Sequence, residues 1–301
     1  MNTRIVSFSI AAHVVLIAAS GLVIGCAAGG GGGTAAVDAS GTPVAVTRSF
    51  EQGQTMKYRF KVESQSGVKR VGYEQSIATS HELRTTCTIT KAGDEKVEMD
   101  MRFDYAAGSR TVGDQMMADK DVATLRGKVL QFTLSPAGAI ESWAGLSGEA
   151  VLESGAGQFA MLLYDVLPSL PAEPLTVGMT WTEPYNIPTI TTRADRDFVG
   201  ESTYTVLGFK RRYDIPCAEI RRVTNFEFEG RAEQGGEVWL MSGRGTTDGT
   251  MLISTEDGLV VWSSSNSNMT LKGEGASVAS AAASGTVEMG IKSKLVIELQ
   301  S

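Results

Sequence analysis

The chain has 301 residues, and 27 basic residues stand against 34 acidic ones, which gives a formal net charge of −7 at neutral pH. Because the acidic residues are in excess and scattered, nucleic acid is not an expected partner. The length accommodates one large β domain or two small ones, with capacity for a packed core.

The first 26 residues have the anatomy of an export signal. Arg4 gives a positive start, and Ile5–Ile24 is an apolar run in which His13 is the only titratable residue. The run can cross a bilayer, so an uncleaved helix is one alternative, and an ordinary signal peptide with a chance cysteine is another. The run ends in Val23-Ile24-Gly25-Cys26, which resembles the bacterial lipobox.

The lipobox resemblance implies cleavage between Gly25 and Cys26 and fatty acylation of Cys26. Stable anchoring needs at least two lipid signals, and three acyl chains on one cysteine meet that requirement. Ala27 is not aspartate, and the sorting of proteobacterial lipoproteins then implies the outer membrane. Loss of Arg4 with the leader leaves 26 basic and 34 acidic residues, a net charge of −8.

Residues 26–43 are predicted to be a lipidated flexible tether. Gly29–Gly33 form one block among mostly small or polar residues, which cannot bury enough apolar surface to fold. A phosphate-binding glycine loop would need a preceding strand, a following helix and usually a lysine. None of these is present.

From residue 55 onward, apolar and polar residues alternate with a period of two. This alternation predicts antiparallel strands with one buried face. The clearest runs are Met56–Val62, Val97–Tyr105, Phe226–Phe228 and Val287–Leu299. Two turn sequences predict hairpins between further runs. Ser135-Pro136-Ala137-Gly138 separates Val129–Leu134 from Ala139–Trp143, and Glu256-Asp257-Gly258 separates Met251–Ser254 from Leu259–Trp262.

One segment, Glu149–Leu167, argues clearly for a helix. Its apolar residues recur at three- and four-residue steps, Ser147 can cap it, and Pro168 stops it. Gly155 and Gly157 weaken its middle and can divide it into two short helices. Asp114–Leu125 is a poorer candidate, either a short helix or a loop.

About ten strands and one substantial helix cannot hide their apolar faces as a flat sheet. We therefore predict a mostly β fold, a curved antiparallel sheet of half-barrel or barrel-like form with one covering helix near 149–167. The predicted organisation is a single β-rich domain over 44–301. It contains an N-terminal strand set (45–145), a helix with a proline-rich connector (146–175) and a C-terminal strand set (176–301).

The stretch Gly127–Ile140, a helix and Leu167–Pro184 follow one another in an order that resembles a family of uncharacterised secreted bacterial lipoproteins. Its members tend to have a proline-bounded V-G-x-x-W element, here Val177-Gly178-Met179-Thr180-Trp181, although an acidic residue is commoner than Met179. At the level of architecture, the resemblance implies the half-barrel with a covering helix seen in periplasmic lipoprotein carriers. It brings no activity and no functional residues, and fold analogy does not establish function.

Cysteine and histidine are too sparse for most catalytic or metal sites. Once Cys26 is lipidated, Cys87 and Cys217 remain, and they either form a disulfide in an oxidising compartment or stay two separate buried thiols. His81 is the only histidine after cleavage. Zinc sites built on two or three histidines are therefore excluded, and a hydrogen-bonded or solvated His81 is favoured over a catalytic base. No cofactor motif and no metal-ligand spacing is present.

Paired carboxylates keep a hydrolase as the alternative function. Glu227 with Glu229, and Asp195 with Asp197, project pairwise to one face of a strand. Residues two apart on a strand lie roughly 6.5–7 Å apart, near the separation that inverting glycosidases use. The same alternation is typical of a solvated sheet face.

The expected interior is rich in methionine: Met99, Met101, Met161, Met251, Met269 and Met289. Thioether side chains adapt to varied apolar partners, although they also fill ordinary cores. The sequence predicts a non-catalytic envelope lipoprotein anchored to a membrane. It either binds a hydrophobic or lipid-like ligand or serves as a scaffold for another envelope protein.

Overall fold

The computed structural model describes residues 42–70, 73–145, 162–191, 194–234, 237–277 and 285–300. The predicted signal segment, Cys26, the tether up to residue 41 and the helical candidate up to residue 161 lie outside these ranges. Within the described ranges, no helix is both long and apolar enough to cross a bilayer.

Almost all regular structure in these ranges is extended. The strands are β1 Thr55–Arg70, β2 Tyr73–Ala92, β3 Val97–Val112, β4 Gln115–Ala118, β5 Val129–Leu134, β6 Ile140–Gly145, β7 Thr180–Thr191, β8 Ala194–Arg212, β9 Ile215–Gln234, β10 Glu237–Ser254, β11 Val260–Ser277 and β12 Gly285–Gln300, and the helices are α1 Lys120–Ala123 and α2 Leu162–Val166.

All twelve strands belong to one antiparallel sheet. The order is β6-β5-β3-β2-β1-β12-β11-β10-β9-β8-β7, and β4 pairs with β3 beside this path. The two ends of the order, β6 and β7, do not pair with each other, so the sheet is open. Pro184 and Pro188 lie in the edge strand β7, where a residue that lacks a backbone donor is tolerated. The predicted mostly β fold class with a curved antiparallel sheet is confirmed, and of the half-barrel and barrel-like forms the open half-barrel is the one observed.

The sheet has an inner and an outer face because the strands keep the alternation seen in the sequence. On β1, Tyr58, Phe60 and Val62 are buried, whereas Lys57 and Lys61 are exposed. We call the side to which Tyr58 points the inner face. Neighbouring strands are bonded in register apart from local bulges, so the inner face continues from strand to strand.

Three apolar clusters occupy the inner face. The first contains Phe60, Leu83, Phe103, Phe132 and Ile297, among others, at the end of the sheet where β5 and β6 turn. The third, around Tyr204, Ile220 and Met251, lies at the same end on β8–β11. The second lies toward the opposite end and consists of Phe198, Phe226, Phe228, Met269, Leu271, Met289 and Ile291.

The predicted helix and the weaker helical candidate are each partly seen. Residues Leu162–Val166 are helical, and Pro168 follows directly, as expected for a stop. The stretch from Glu149 to Met161 lies outside the described residues. Asp114–Leu125 divides into the short strand β4 and the short helix α1, which Asp119 caps by accepting a hydrogen bond from the Asp121 amide.

The two cysteines are separate buried thiols, which was the alternative to a disulfide. Cys87 lies in the first cluster on the inner face. Cys217 packs with Leu252 and Val261 on the outer face. Four strands separate β2 from β9 in the sheet, so the two sulfurs cannot meet.

Arg48 joins the segment before β1 to three loops at one end of the sheet. Its buried guanidinium donates to the carbonyl oxygens of Gly258 (Nε, 3.1 Å; Nη2, 2.9 Å), Pro168 (Nη2, 2.9 Å) and Ala137 (Nη1, 3.4 Å). Burial lowers the pKa of Arg48 to about 10, so it remains a cation at neutral pH. Gly258, with φ of 69°, lies against the Arg48 backbone, where an added Cβ would be within 3.1 Å.

Replacement of Arg48 by Met is expected to lower the free energy of unfolding by about 3 kcal/mol, because hydrogen bonds to a charged group are worth roughly 1.5–3 kcal/mol each and buried carbonyls lose their donor. Urea denaturation followed by tryptophan fluorescence measures this. Met preserves most of the apolar stem, so wild-type stability in Arg48→Met would show that the guanidinium contributes nothing.

Candidate functional site

A row of hydroxyl side chains crosses the inner face between the second cluster and the other two. Its members face one another in register on seven consecutive strands, and we call the row the hydroxyl belt. It consists of Thr79, Ser64, Ser293, Ser267, Thr247, Thr224 and Ser202. All except the half-buried Thr247 are buried. The inner face is therefore apolar at both ends and polar across its middle.

Part of the belt satisfies its own hydrogen bonds. Ser202 Oγ and Thr224 Oγ1 are 2.8 Å apart, and Thr247 Oγ1 and Ser267 Oγ are 2.5 Å apart. Such cross-strand hydroxyl pairs are an ordinary way to stabilise neighbouring strands.

The other part of the belt is buried without such partners. Thr79, Ser64 and Ser293 are adjacent on β2, β1 and β12, and their exposed fractions are 6, 4 and 2%. None of their hydroxyl oxygens has a hydrogen-bond partner among the described residues. A buried hydroxyl without a partner costs about 1–3 kcal/mol, so three in a row need an explanation other than stability.

Helix α2 lies over the inner face near the belt. Tyr164 packs against the second cluster and Val166 belongs to the first, so this single turn of helix contacts the apolar residues on both sides. Asp165 accepts a hydrogen bond from the buried Arg222 guanidinium, which stands on β9 one inner position from Thr224. The described part of the predicted helix thus contacts the inner face as a covering helix does.

His81 is buried and hydrogen-bonded to a carboxylate. It is 5% exposed, and its Nε2 lies 3.1 Å from Asp119 Oδ2, which also accepts from Arg110 Nη2 at 3.3 Å. Hydrogen bonding from His81 and the charge of Arg110 hold the pKa of Asp119 well below its ordinary value. The expectation of a hydrogen-bonded histidine is confirmed, and the contacts tie β2 and β3 to α1.

Glu183 continues the belt at the edge strand, because it pairs in register with Ser202. Burial raises its pKa, while hydrogen bonds from Ser169 and Tyr204 partly oppose the shift.

The V-G-x-x-W element leads into this strand. Gly178 has a φ of 85° in a turn closed from the Met179 amide to the Thr176 carbonyl (3.0 Å), and Trp181 stacks on Tyr204 with centroids 5.0 Å apart.

The outer face carries a transverse groove of about 920 Å³ that crosses seven strands. Gly67 and Gly290 pair across its floor, and Arg244, Glu227 and Lys292 are among its lining residues. Outer-face residues such as Glu227 and Lys292 line the groove together with Phe226, Met269 and Ile291 of the second cluster.

The predicted carboxylate pairs are not brought together in that groove. Glu227 lines it, whereas Glu229, also exposed, does not. Asp195 and Asp197 lie in β8, but their side chains fall outside the described residues. Across the described part of the chain, no group of three His, Cys, Asp or Glu side chains is placed to hold a metal ion.

Comparison with known proteins identifies no family. No protein-family model matches the sequence, and no curated protein matches it. Among solved structures, an outer membrane channel from Pseudomonas putida F1 is 10% identical, with 84% of this chain and 97% of that chain covered and a TM-score of 0.22. A loop L8 deletion mutant of OmpT, an outer membrane protein of Vibrio cholerae, is 8% identical, with 81 and 100% covered and a TM-score of 0.19. OccK7 (OpdD) of Pseudomonas aeruginosa is 6% identical, with 82 and 99% covered and a TM-score of 0.18. TM-scores this low do not indicate a shared fold.

The belt and its flanking ion pairs were not recognised in the sequence. Ser263, Ser265 and Ser267 alternate along β11, and Ser293 interrupts the apolar alternation of β12, so a signal was present. Its meaning depends on the pairing of strands far apart in the chain, which the alternation of a single strand does not reveal.

Asp119→Asn is expected to lower the free energy of unfolding by about 2 kcal/mol at pH 7, because hydrogen bonds to a charged group are lost. The folded-state pKa of Asp119 is depressed. Its contribution is therefore complete above the unfolded-state value of about 4 and is lost as the pH falls toward the folded-state value. Urea denaturation at pH 7 and pH 2.5 should show the gap between wild type and variant narrowing at the lower pH. A gap of equal size at both would contradict this assignment.

The two halves of the belt should respond oppositely to loss of a hydroxyl. The double variant Ser64→Ala with Ser293→Ala removes buried groups without partners and should raise the free energy of unfolding of the ligand-free chain by about 1–2 kcal/mol. Ser202→Ala leaves Thr224 without its partner and should lower it by about 1 kcal/mol. Urea denaturation of delipidated protein measures both. Destabilisation by the first pair would mean that those hydroxyls are satisfied.

Proposed function

We propose that the chain is a lipid-anchored envelope protein, favoured at the outer membrane, whose inner sheet face binds an amphiphilic, lipid-like ligand without catalysis. The observation that carries the proposal is the hydroxyl belt, with three buried hydroxyls that bond to no described group, between apolar clusters on one face. An amphiphile has a polar group next to an apolar chain, and this arrangement matches the polar and apolar regions of the inner face.

The apolar side of this site is adaptable. The second cluster combines Phe198, Phe226 and Phe228 with Met269 and Met289. Unbranched thioether side chains repack around apolar partners of different shape. These surfaces are covered by their own aromatic rings and by Tyr164 of α2, so a ligand enters only when α2 moves away. This movement must break the ion pair between Asp165 and Arg222 and expose Val166, which is buried in the first cluster.

The proposal of a lipid anchor is based on the lipobox-like sequence Val23-Ile24-Gly25-Cys26. Acyl chains on Cys26 hold the β domain at the membrane surface, where a lipid-like ligand is available. Scaffolding of another envelope protein is the second candidate, and the groove favours it because a partner chain can lie across seven strands there. A hydrolase has less support, since Glu227 and Glu229 do not share the groove.

Native mass spectrometry of the untagged full chain, extracted from the membrane of the cell that makes it, tests anchor and ligand together. We expect a mature chain that begins at Cys26, carries acyl chains, and holds a second, non-covalent lipid mass. Cys26→Ala should lose the acyl mass and membrane retention. A first residue other than 26, or no fatty acid on the chain, would refute the anchor.

Ser64→Ala with Ser293→Ala provides the test of the ligand site. The acylated double variant should be stable and remain at the membrane, yet lose the non-covalent mass. Retention of that mass, or its absence from wild type, would contradict ligand binding at the belt. If a protein partner instead co-purifies with the chain in a fixed ratio, loss of that partner on substitution of Arg244 in the groove would support the scaffold function.

A further inference from the structure

The charged groups nearest the hydroxyl belt already have partners of opposite charge. In the belt row and the rows on either side of it, the described cations are Arg110 and Arg222. Arg110 donates to Asp119 at 3.3 Å, and Arg222 donates to Asp165. Each of these cations is thus neutralised by a carboxylate, so the described rows carry no net positive charge for an anionic ligand, although Arg222 Nε keeps an unused N–H.

The remaining charge near the belt would repel an anion. Glu183 is half-buried, pairs in register with Ser202, and has a pKa raised by its burial. Four strands separate Glu183 on β7 from Ser293 on β12, so Glu183 adds negative charge to the inner face without bordering the three hydroxyls. The described cation beside Thr79 is Arg110, which Asp119 neutralises, and a buried anion without an unpaired counterion is far costlier than a buried neutral polar group. The polar part of the ligand must then be uncharged.

The three hydroxyls without partners specify the kind of neutral group. Each of Thr79, Ser64 and Ser293 offers one donor and two acceptor lone pairs. Adjacent strands place them at steps of about 4.8 Å. Alcohol groups and ester carbonyls, which together present donors and acceptors at such spacing, can satisfy them. A plain hydrocarbon cannot.

The neighbouring apolar residues indicate the direction in which the acyl chains of the ligand lie. Ile291 and Met289 continue the inner face of β12 beyond Ser293, and Met269 and Leu271 do so on β11. Residues two apart on one face lie roughly 6.5–7 Å from each other. An acyl chain whose ester oxygens reach Ser293 therefore lies along the second cluster.

We propose that the ligand is a neutral glycerolipid of the diacylglycerol class, held by its hydroxyl and ester oxygens at Thr79, Ser64 and Ser293 with its acyl chains on the second cluster. This rests on the proposed function and adds that lipids with a phosphate headgroup are excluded.

Photo-crosslinking in membranes that contain the acylated full chain tests the assignment. The probes are a diacylglycerol and a phosphatidic acid that share the same diazirine-bearing acyl chains. Labelled peptides are mapped by mass spectrometry, and excess unlabelled dioleoylglycerol serves as competitor. We expect the diacylglycerol probe to label β11 and β12 peptides about tenfold more than the phosphatidic acid probe, with competition by dioleoylglycerol.

Ser64→Ala with Ser293→Ala should reduce the diacylglycerol labelling about thirtyfold, since two hydrogen bonds of about 1 kcal/mol each are lost and about 1.4 kcal/mol corresponds to a factor of ten. The matched control, Ser202→Ala with Thr224→Val, removes a self-satisfied hydroxyl pair from the same belt and should change labelling less than about twofold. Failure of the first variant to reduce labelling, or equal losses in both variants, would overturn the role of the three hydroxyls.

The headgroup inference and the proposed function fail differently. If both probes label the inner strands equally and are competed away, lipid binding stands and the exclusion of phosphate is wrong. Stronger labelling by phosphatidic acid also refutes the inference alone. If neither probe labels inner-face peptides above the background that remains with excess dioleoylglycerol, lipid binding itself is refuted.

Discussion

The pairing of β1 with β12 is the constraint on which the rest of the structure depends. These strands come from the two ends of the described chain and are bonded in register from Lys57 with Gln300 to Lys69 with Glu288. They join the N-terminal and C-terminal strand sets into one sheet. A slip of one residue at this seam would turn the inner side chains of one half outward. The belt would then be divided, because Ser64 and Ser293 face each other across the seam.

Local pattern predicted much of the sheet. The alternation of Met56–Val62 and of Val287–Leu299 correctly identified strands and their buried residues, and both proline- or glycine-containing turns close hairpins. These features depend on neighbours in the sequence, so the sequence is enough to find them. The short strand β4 was missed because four exposed residues carry no alternation of burial.

The functional face depends on contacts that local pattern does not contain. Ser293 reads as an interruption in β12 until β1 is known to place Ser64 beside it. Asp119 reads as an ordinary helix cap until His81, 38 residues earlier, is found against it. The cysteines illustrate the same limit, since alternation places each in a strand but does not say that four other strands separate them. The sequence pattern located the strands along the chain but did not reveal their order in the sheet.

A row of buried hydroxyls is a poor choice for stability alone. Apolar side chains at Ser64 and Ser293 would continue the clusters on both sides and avoid the desolvation penalty. Natural proteins keep such locally unfavourable positions chiefly at functional sites. A role in binding would explain why the inner face, otherwise suited to a plain core, has buried hydroxyl groups across its middle.

The clamp formed by Arg48 fixes the end of the sheet at which the chain enters it. The segment before β1 is held at the end with the turns near Ala137 and Gly258, whereas the second cluster lies toward the other end of strands that are 16–20 residues long. At about 3.3 Å per residue, these strands extend some 55–65 Å. The point where the chain enters the sheet and the Phe- and Met-rich second cluster are thus held at opposite ends of the molecule. Under the proposed lipid anchor, that cluster would be on the side remote from the point of attachment.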